Sequence, residues 1–210
     1  MRVLIACEFS GIVRSAFSEL GHDAWSCDIL PTEREGQHHK GPLEDFIGSG
    51  REWDLIIAHP PCTYLANSGV RWLYGDNRVM TGSKSMERYQ NMLKASAFFN
   101  MIRNRDCPKI CVENPIMHKF ARREICIPLQ FWPNSESGHT QIIQPWQFGH
   151  GETKATCLWL KGLSQLKSTK IVSGREARVH YESPGPNRWK ERSRTLPGIA
   201  NAMAQQWGNL

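Results

Sequence analysis

No stretch of the 210 residues approaches the roughly eighteen consecutive apolar residues a membrane-spanning helix needs, so no span is expected. A signal peptide is missing too. Met1–Ala6 has a charge and a short apolar run, but it meets Glu8 too soon and reads as a first strand. Nor is there a disulfide framework. The seven cysteines, at 7, 27, 62, 107, 111, 126 and 157, are odd in number, and several lie in apolar, strand-like runs. That usage fits reduced thiols and a cytoplasmic protein. Cys107 and Cys111 lack a second ligand pair at zinc-ribbon distance, and His38-His39 sit in a polar stretch, so no metal is expected. Internal repeats and low-complexity tracts are absent. With 22% charged and 40% apolar residues the chain is not of disordered type, and residues 1–210 suit one domain with a substantial core.

Hydrophobic periodicity supplies the elements. Residues 2–6 read as a strand, followed by the loop Cys7-Glu8-Phe9-Ser10-Gly11 and an amphipathic helix with Val13, Ala16, Phe17 and Leu20 at helical spacing. Gly21 suits the position just past that helix. Asp23–Asp28 alternates as a second strand ending on an acid. Strand, turn, helix, strand, acid is half of a nucleotide-binding α/β fold. Residues 31–50 read as a polar loop with a short helix near Leu43–Ile47, and 55–58 as a buried strand. A surface loop is expected over 67–83, and the longest helix over 86–103. Lys109–Val112 is a strand ending on Glu113-Asn114-Pro115. Strands are expected over 141–148 and 155–160, an irregular basic insertion over 161–197, and a last helix over 198–207.

The strand at 55–58 stops on His59-Pro60-Pro61-Cys62. Proline gives no ladder N–H and biases the residue before it to extended geometry, so Cys62 sits on a stiff turn at a strand end. In an open α/β sheet, ligands gather there. A free cysteine is as a rule a small buried hydrophobe; the two prolines set this one apart. Glu113 ends another strand, and the two could face one pocket if the strands are neighbours. The loop Glu8-Phe9-Ser10-Gly11 precedes a helix N-terminus whose N–H groups favour an anionic or carboxylate-bearing ligand. Asp28 is placed to accept hydrogen bonds from a ribose diol. Net charge is +6, and the C-terminal fifth is enriched in Arg175, Arg178, Arg188, Lys190, Arg192 and Arg194. Such a stretch either tracks phosphates or is a solvated face.

These residues carry a resemblance to the DNA (cytosine-5) methyltransferases, in particular to short members encoded by phages and prophages. Phe9-Ser10-Gly11 is similar to the family's Phe-x-Gly motif, which contacts S-adenosylmethionine. Asp28 matches the acid that holds the cofactor ribose. Pro60-Pro61-Cys62 matches the Pro-Pro-Cys motif carrying the nucleophile, and Glu113-Asn114-Pro115 is similar to Glu-Asn-Val, whose glutamate binds the target cytosine. Gly198-Ile199-Ala200-Asn201-Ala202 loosely resembles the Gly-Asn-Ala motif of the cofactor site. The resemblance implies a Rossmann-like S-adenosylmethionine-dependent methyltransferase fold, α/β with a mostly parallel central sheet flanked by helices. It implies Glu8, Phe9, Ser10, Gly11, Asp28, Pro60 and Asn201 at the cofactor. Cys62 and Glu113 are then catalytic, and Pro61 and Asn114 lie at the substrate.

The departures are as informative. An acid after a glycine at the third strand is expected on the adenine, whereas Gly41 is followed by Pro42-Leu43, and Glu44 or Asp45 substitutes only with a shifted register. The family's Gln-x-Arg-x-Arg motif is absent, and Lys154 is the candidate for its cationic role. The 155–160 strand and Gly198 are too close in sequence for a large target-recognition domain. The protein should therefore read little sequence, use a protein partner, or act on another pyrimidine.

The implied chemistry is methyl transfer to C5 of cytosine in DNA. Thiolate addition at C6 makes C5 nucleophilic. A duplex cytosine must be flipped out, at a few kcal/mol, or already be single-stranded. Arg71 and Trp72 in the 67–83 loop suit stacking and phosphate contact, and Arg188, Arg192 and Arg194 suit the backbone. Two other readings stay open. One is an amino-methyltransferase of Pro-Pro-Tyr/Phe type, although His59 stands where that chemistry wants Asp, Asn or Ser. The other is a methyltransferase-like module that binds cofactor or nucleic acid without turnover. The base that removes the C5 proton is not identifiable from the residues.

Overall fold

The computed structural model describes residues 1–74, 83–125 and 138–209. A seven-stranded sheet organises them: β1 (Arg2–Ala6), β2 (Asp23–Asp28), β3 (His38–Lys40), β4 (Leu55–Ala58), β5 (Lys109–Pro115), β6 (Gln141–Ile143) and β7 (Thr156–Lys161). Their spatial order is β3-β2-β1-β4-β5-β7-β6. Only β7 runs against the others. β1 and β4 are buried on both faces (Val3 to Ala6 and Leu55 to Ala58 are all at 0% exposure), which is why they read as continuous apolar runs.

Helices cover both faces. α1 (Ile12–Glu19) and α7 (Pro197–Trp207) pack together on one, burying Val13, Phe17, Met203 and Trp207 against Ile5 and Ile57. α2 (Leu43–Ile47), α3 (Ser83–Arg103) and α4 (Lys119–Ile125) cover the other, where Phe46, Phe99 and Ile102 meet Ile56 and Trp159. Gly21 adopts φ 81° just past α1, as its position demands. The expected Rossmann-like α/β architecture, a mostly parallel sheet between two helical layers, is what the chain forms. Chain order along the sheet reverses between β1 and β4. The turns after these strands, Cys7–Ser10 and His59–Cys62, therefore flank the crevice where such sheets bind ligands. No helix among the described residues is long and apolar enough to cross a membrane.

Four expectations need correction. The 31–50 stretch contains β3, a polar edge strand of three residues that leaves no hydrophobic alternation to read. Its histidines are half-buried. His38 bonds Ser26 Oγ (2.8 Å) through one ring nitrogen and the Leu30 carbonyl (2.9 Å) through the other, and His39 stacks on Phe46 at 4.5 Å. Residues 67–73 form a 3₁₀ helix rather than loop; the rest of that expected loop, 75–82 with Gly75 and Gly82, lies outside the described residues. β6 ends at Ile143 because Pro145 starts a 3₁₀ turn. The 161–197 stretch is not wholly irregular: it carries α5 (Arg178–Tyr181) and α6 (Arg188–Ser193).

Arg14 is a buried charge that anchors the chain after β2. It is 1% exposed. It donates to Ser26 Oγ (3.1 Å), Thr32 Oγ1 (3.4 Å) and the carbonyls of Arg34 (2.7 Å), Glu35 (2.8 Å) and Gln37 (3.3 Å). Arg14→Met strands those carbonyls while filling the space. It is expected to lower stability by roughly 2–4 kcal/mol, read as a drop in the urea unfolding midpoint with unchanged slope.

Candidate active site

A cavity of about 560 Å³ opens at the carboxyl ends of β1, β2 and β4, within the ordinary range for a cofactor site of roughly 300–1,000 Å³. The β1 turn contributes Cys7, Glu8, Phe9 and Ser10; Asp28 comes from the end of β2, and His59, Pro61 and Tyr64 from the β4 turn. Of the two acids in α2, Glu44 lines the cavity and Asp45 does not.

The residues expected at a cofactor divide once seen in place. Glu8 is buried, and its carboxylate accepts the N–H groups of Val13 (2.7 Å) and Arg14 (3.2 Å) and the Ser10 hydroxyl (3.2 Å). These α1 amides are thus satisfied internally, which corrects the expectation that they await an anionic ligand. Gly11 stands behind the wall. Its φ of 68° and the 2.7 Å a Cβ would leave to Arg14 Nη2 require glycine there. Cys7, which sequence reasoning passed over, is a wall residue at φ 58°, a backbone conformation non-glycine residues seldom adopt. Asp28 is half-buried and accepts the Leu30 N–H (2.9 Å); burial, only partly offset by that bond and by His38, pushes its carboxyl pKa up. Pro60 and Asn201 are not brought to the cavity. Pro60 turns its carbonyl to Asn114, and Asn201 is exposed on α7.

The C-terminal basic segment closes this cavity rather than standing clear of it. Trp189, Ser193, Arg194 and Thr195 line it, and Trp189 lies 6.2 Å from the Phe9 ring. Arg194 grips Glu33 with two bonds (2.6 and 2.9 Å), also pairs with Glu191, and lies over Phe9. Those carboxylates raise its pKa further, and they occupy the guanidinium that was expected to face phosphate. The Arg192 carbonyl accepts Lys154 Nζ (3.0 Å), and Arg188 Nε donates to the Glu182 carbonyl (2.7 Å). Arg71 and Trp72 are exposed, with the guanidinium 4.7 Å from the indole centroid, and neither lines the cavity.

Around Cys62 the backbone is tightly held. The Cys62 carbonyl accepts the N–H groups of Leu65 (3.0 Å) and Ala66 (2.9 Å). The buried Asn114 donates to the Pro60 carbonyl (3.0 Å), a structural bond at a residue expected to touch substrate. The half-buried thiol is not a wall of the 560 Å³ cavity. Burial and then Glu113 push its pKa up, while Lys154 and Arg192 pull it down less strongly. Lys154 and Arg192 thus act on Cys62, but they do not offset burial and Glu113.

Glu113 comes to the same place through strand register. Ala58 pairs with Val112, so the next step along the two parallel strands sets His59 beside Glu113. His59 Nδ1 donates to Glu113 Oε2 at 2.6 Å, and the side chains are only 9% and 13% exposed. Burial opposes the charge on each. The hydrogen bond and mutual attraction outweigh it, raising the pKa of His59 and, with help from Lys154, lowering that of Glu113. Glu113 and Lys154 line a narrow cleft with Thr156 and Thr195. The geometry thus joins Cys62, Glu113 and Lys154 in one electrostatic group and adds His59, which the sequence presented only as the residue before the prolines.

No protein-family model and no curated protein matches the chain. Solved structures do. One is described as a DNA modification methyltransferase encoded within an E. coli prophage, with 14% identity over 87% of this chain and 55% of that one and a TM-score of 0.44. Another is the S. pombe Dnmt2 methyltransferase, with 16% identity over 87% of this chain and 54% of that one and a TM-score of 0.38. The chain spans about half the length of each.

Proposed function

We propose that the chain transfers a methyl group from S-adenosylmethionine to C5 of cytosine in DNA, through a covalent bond between Cys62 and C6. The observation that carries this reading is the convergence on Cys62. A proline-braced thiol and a buried, ionised glutamate sit at neighbouring strand ends, with Lys154 between the glutamate and α6 and a nucleoside-sized cavity alongside. The cavity fits the cofactor in chemistry as well as volume: Asp28 offers a carboxylate for a ribose diol, Glu44 an acceptor, and Phe9 and Phe98 apolar walls. When bound, S-adenosylmethionine supplies an electrophilic methyl group.

The chain's residues supply the rest. Cys62 gives up its thiol proton to water and adds to C6 as the thiolate, and the electron pair of the C5=C6 bond moves into the ring. Glu113 spends one oxygen on His59, and an ionised carboxylate has further acceptor sites for the ring N3 and exocyclic amine of cytosine. Lys154, in the charge field of both, steadies the thiolate before addition and the negative charge that then moves from sulfur onto the ring. Trp189 and Arg194 close the cofactor end and exclude water. Arg71, Trp72, Arg188 and Arg192 remain the groups proposed for the nucleic acid.

Amino-methyl transfer is favoured by one observation, that Pro61 and Tyr64 line the cavity whereas Cys62 does not. Incubation with methyl-labelled cofactor and mixed DNA, followed by nucleoside digestion and mass spectrometry, separates the readings. Label at C5 of cytosine is expected. Label on an exocyclic nitrogen supports the second reading, and cofactor binding without transfer to any DNA or RNA supports a binding module.

The cofactor cavity carries its own prediction. Asp28→Asn removes a charged acceptor worth about 1.5–3 kcal/mol to a ribose hydroxyl. Calorimetric titration should show S-adenosylmethionine binding at least about tenfold more weakly. Unchanged affinity would place the ribose elsewhere.

A further inference from the structure

His59 is unexplained by the role given to Glu113. Its ring is nine-tenths buried, its Nδ1 is committed to Glu113, and its Nε2 is buried with no partner among the described residues. An orphaned buried nitrogen costs about 1–3 kcal/mol, and native structures seldom keep one without a use. Its location suggests the use. His59 is a wall of the cofactor cavity, Glu113 is a wall of the cleft that also holds Lys154, and the imidazole stands between them.

A carboxylate can only accept, so the hydrogen at 2.6 Å belongs to Nδ1, and the neutral ring carries its lone pair on Nε2. A carboxylate holding an imidazole in that tautomer, with Nε2 toward a reacting centre, is the arrangement of a general base. We propose that His59 is the base that takes the C5 proton after methyl transfer, with Glu113 orienting it; this rests on the C5 reading above.

The step balances within the site. After transfer, C5 carries a methyl group and a hydrogen, and C6 carries the Cys62 sulfur. The C5–H bond breaks and its proton goes to Nε2. Its electron pair forms the C5=C6 double bond, and the C6–S bond breaks with its pair on sulfur. The imidazolium then returns the proton to the Cys62 thiolate or to water. The charged groups facing the ring are Glu113 from β5, Glu8 from the turn after β1 and Lys154 from the segment before β7. The two acids outweigh burial and Lys154, so His59 is a stronger base than a free imidazole, and it is competent once pH exceeds its raised pKa.

His59→Gln tests this, because glutamine can still donate to Glu113 but cannot take a proton. With S-adenosylmethionine and mixed-sequence DNA containing 5-tritiated cytosine, tritium release should fall about 100-fold or more. A denaturant-stable complex carrying one added methyl should accumulate. Adduct formation with 5-fluorocytosine DNA, which needs no proton removal, should stay within a few fold of wild type. Tritium release at the wild-type rate overturns the proposal, as does a folded variant that forms no 5-fluorocytosine adduct. Should the variant not fold, the wild-type enzyme decides. The methylated adduct must live about tenfold longer per pH unit below the His59 pKa, and a pH-independent lifetime overturns the role. A wild-type protein that forms no adduct even with 5-fluorocytosine DNA instead removes the C5 reading itself.

Discussion

Cys62→Ala is expected to lower methyl transfer by at least about 10⁴-fold while leaving S-adenosylmethionine affinity within a factor of two. The first half follows from covalent catalysis: without a nucleophile at C6, C5 stays unreactive, and removing a catalytic nucleophile costs several powers of ten. The second follows from geometry. Cys62 is not a wall of the cavity proposed for the cofactor, and its turn is held by backbone bonds to Leu65 and Ala66 and by Asn114, none of which uses the thiol. Paired calorimetry and methyl-incorporation assays read the two halves separately. Parallel loss of binding would mean that the turn had moved, and retained activity would mean that the thiol is not the nucleophile.

Glu113→Ala has the next largest expected effect, and it acts twice. Activity should fall by about 10²–10³-fold, because the group that stabilises the activated pyrimidine is gone. Stability should fall as well, by about 3–5 kcal/mol, because His59 is left buried without its counter-charge. The pH dependence has a definite sign. The lowered pKa of Glu113 makes its contribution present above the ordinary carboxylate value of about 4.3 and lost as pH falls through the lower folded value. The raised pKa of His59 makes its contribution present below about 6.5 and lost as pH rises through the higher folded value. The difference in unfolding free energy between wild type and Glu113→Ala should therefore be greatest between about pH 4.3 and 6.5 and shrink on both sides. A difference independent of pH would mean that the pair is not ionised. In the variant, burial and Lys154 act on His59 unopposed by Glu113, so its NMR titration midpoint should drop.

The fold was legible where burial is complete. β1, β4 and β5 are central strands, and their apolar runs announce them; α1, with its apolar stripe and Gly21 stop, is as plain. Asp28 was legible because a strand must end somewhere, and here it ends on an acid. β3 was not, because an edge strand of His38-His39-Lys40 is held by side-chain bonds to its neighbours rather than by burial of an apolar face. The candidate site divides in the same way. Cys62 and Glu113 carry local marks, two prolines and a strand end. The His59–Glu113 pair depends on the register of β4 against β5, which no local pattern encodes. Among the arginines of the C-terminal segment, Arg194 misled by composition. Charge alone suggested phosphate, but Glu33, distant in sequence, holds Arg194 against the 560 Å³ cavity.

Peptide mass mapping of the protein after incubation with S-adenosylmethionine and 5-fluorocytosine DNA reads the proposed bond between Cys62 and C6 itself. Fluorine at C5 cannot leave as a proton, so the covalent intermediate should persist. One cross-linked nucleotide, carrying an added methyl, is expected on the peptide containing Cys62, dependent on cofactor and absent from Cys62→Ala. A cross-link at another residue, or methylated DNA with no cross-link, would contradict it.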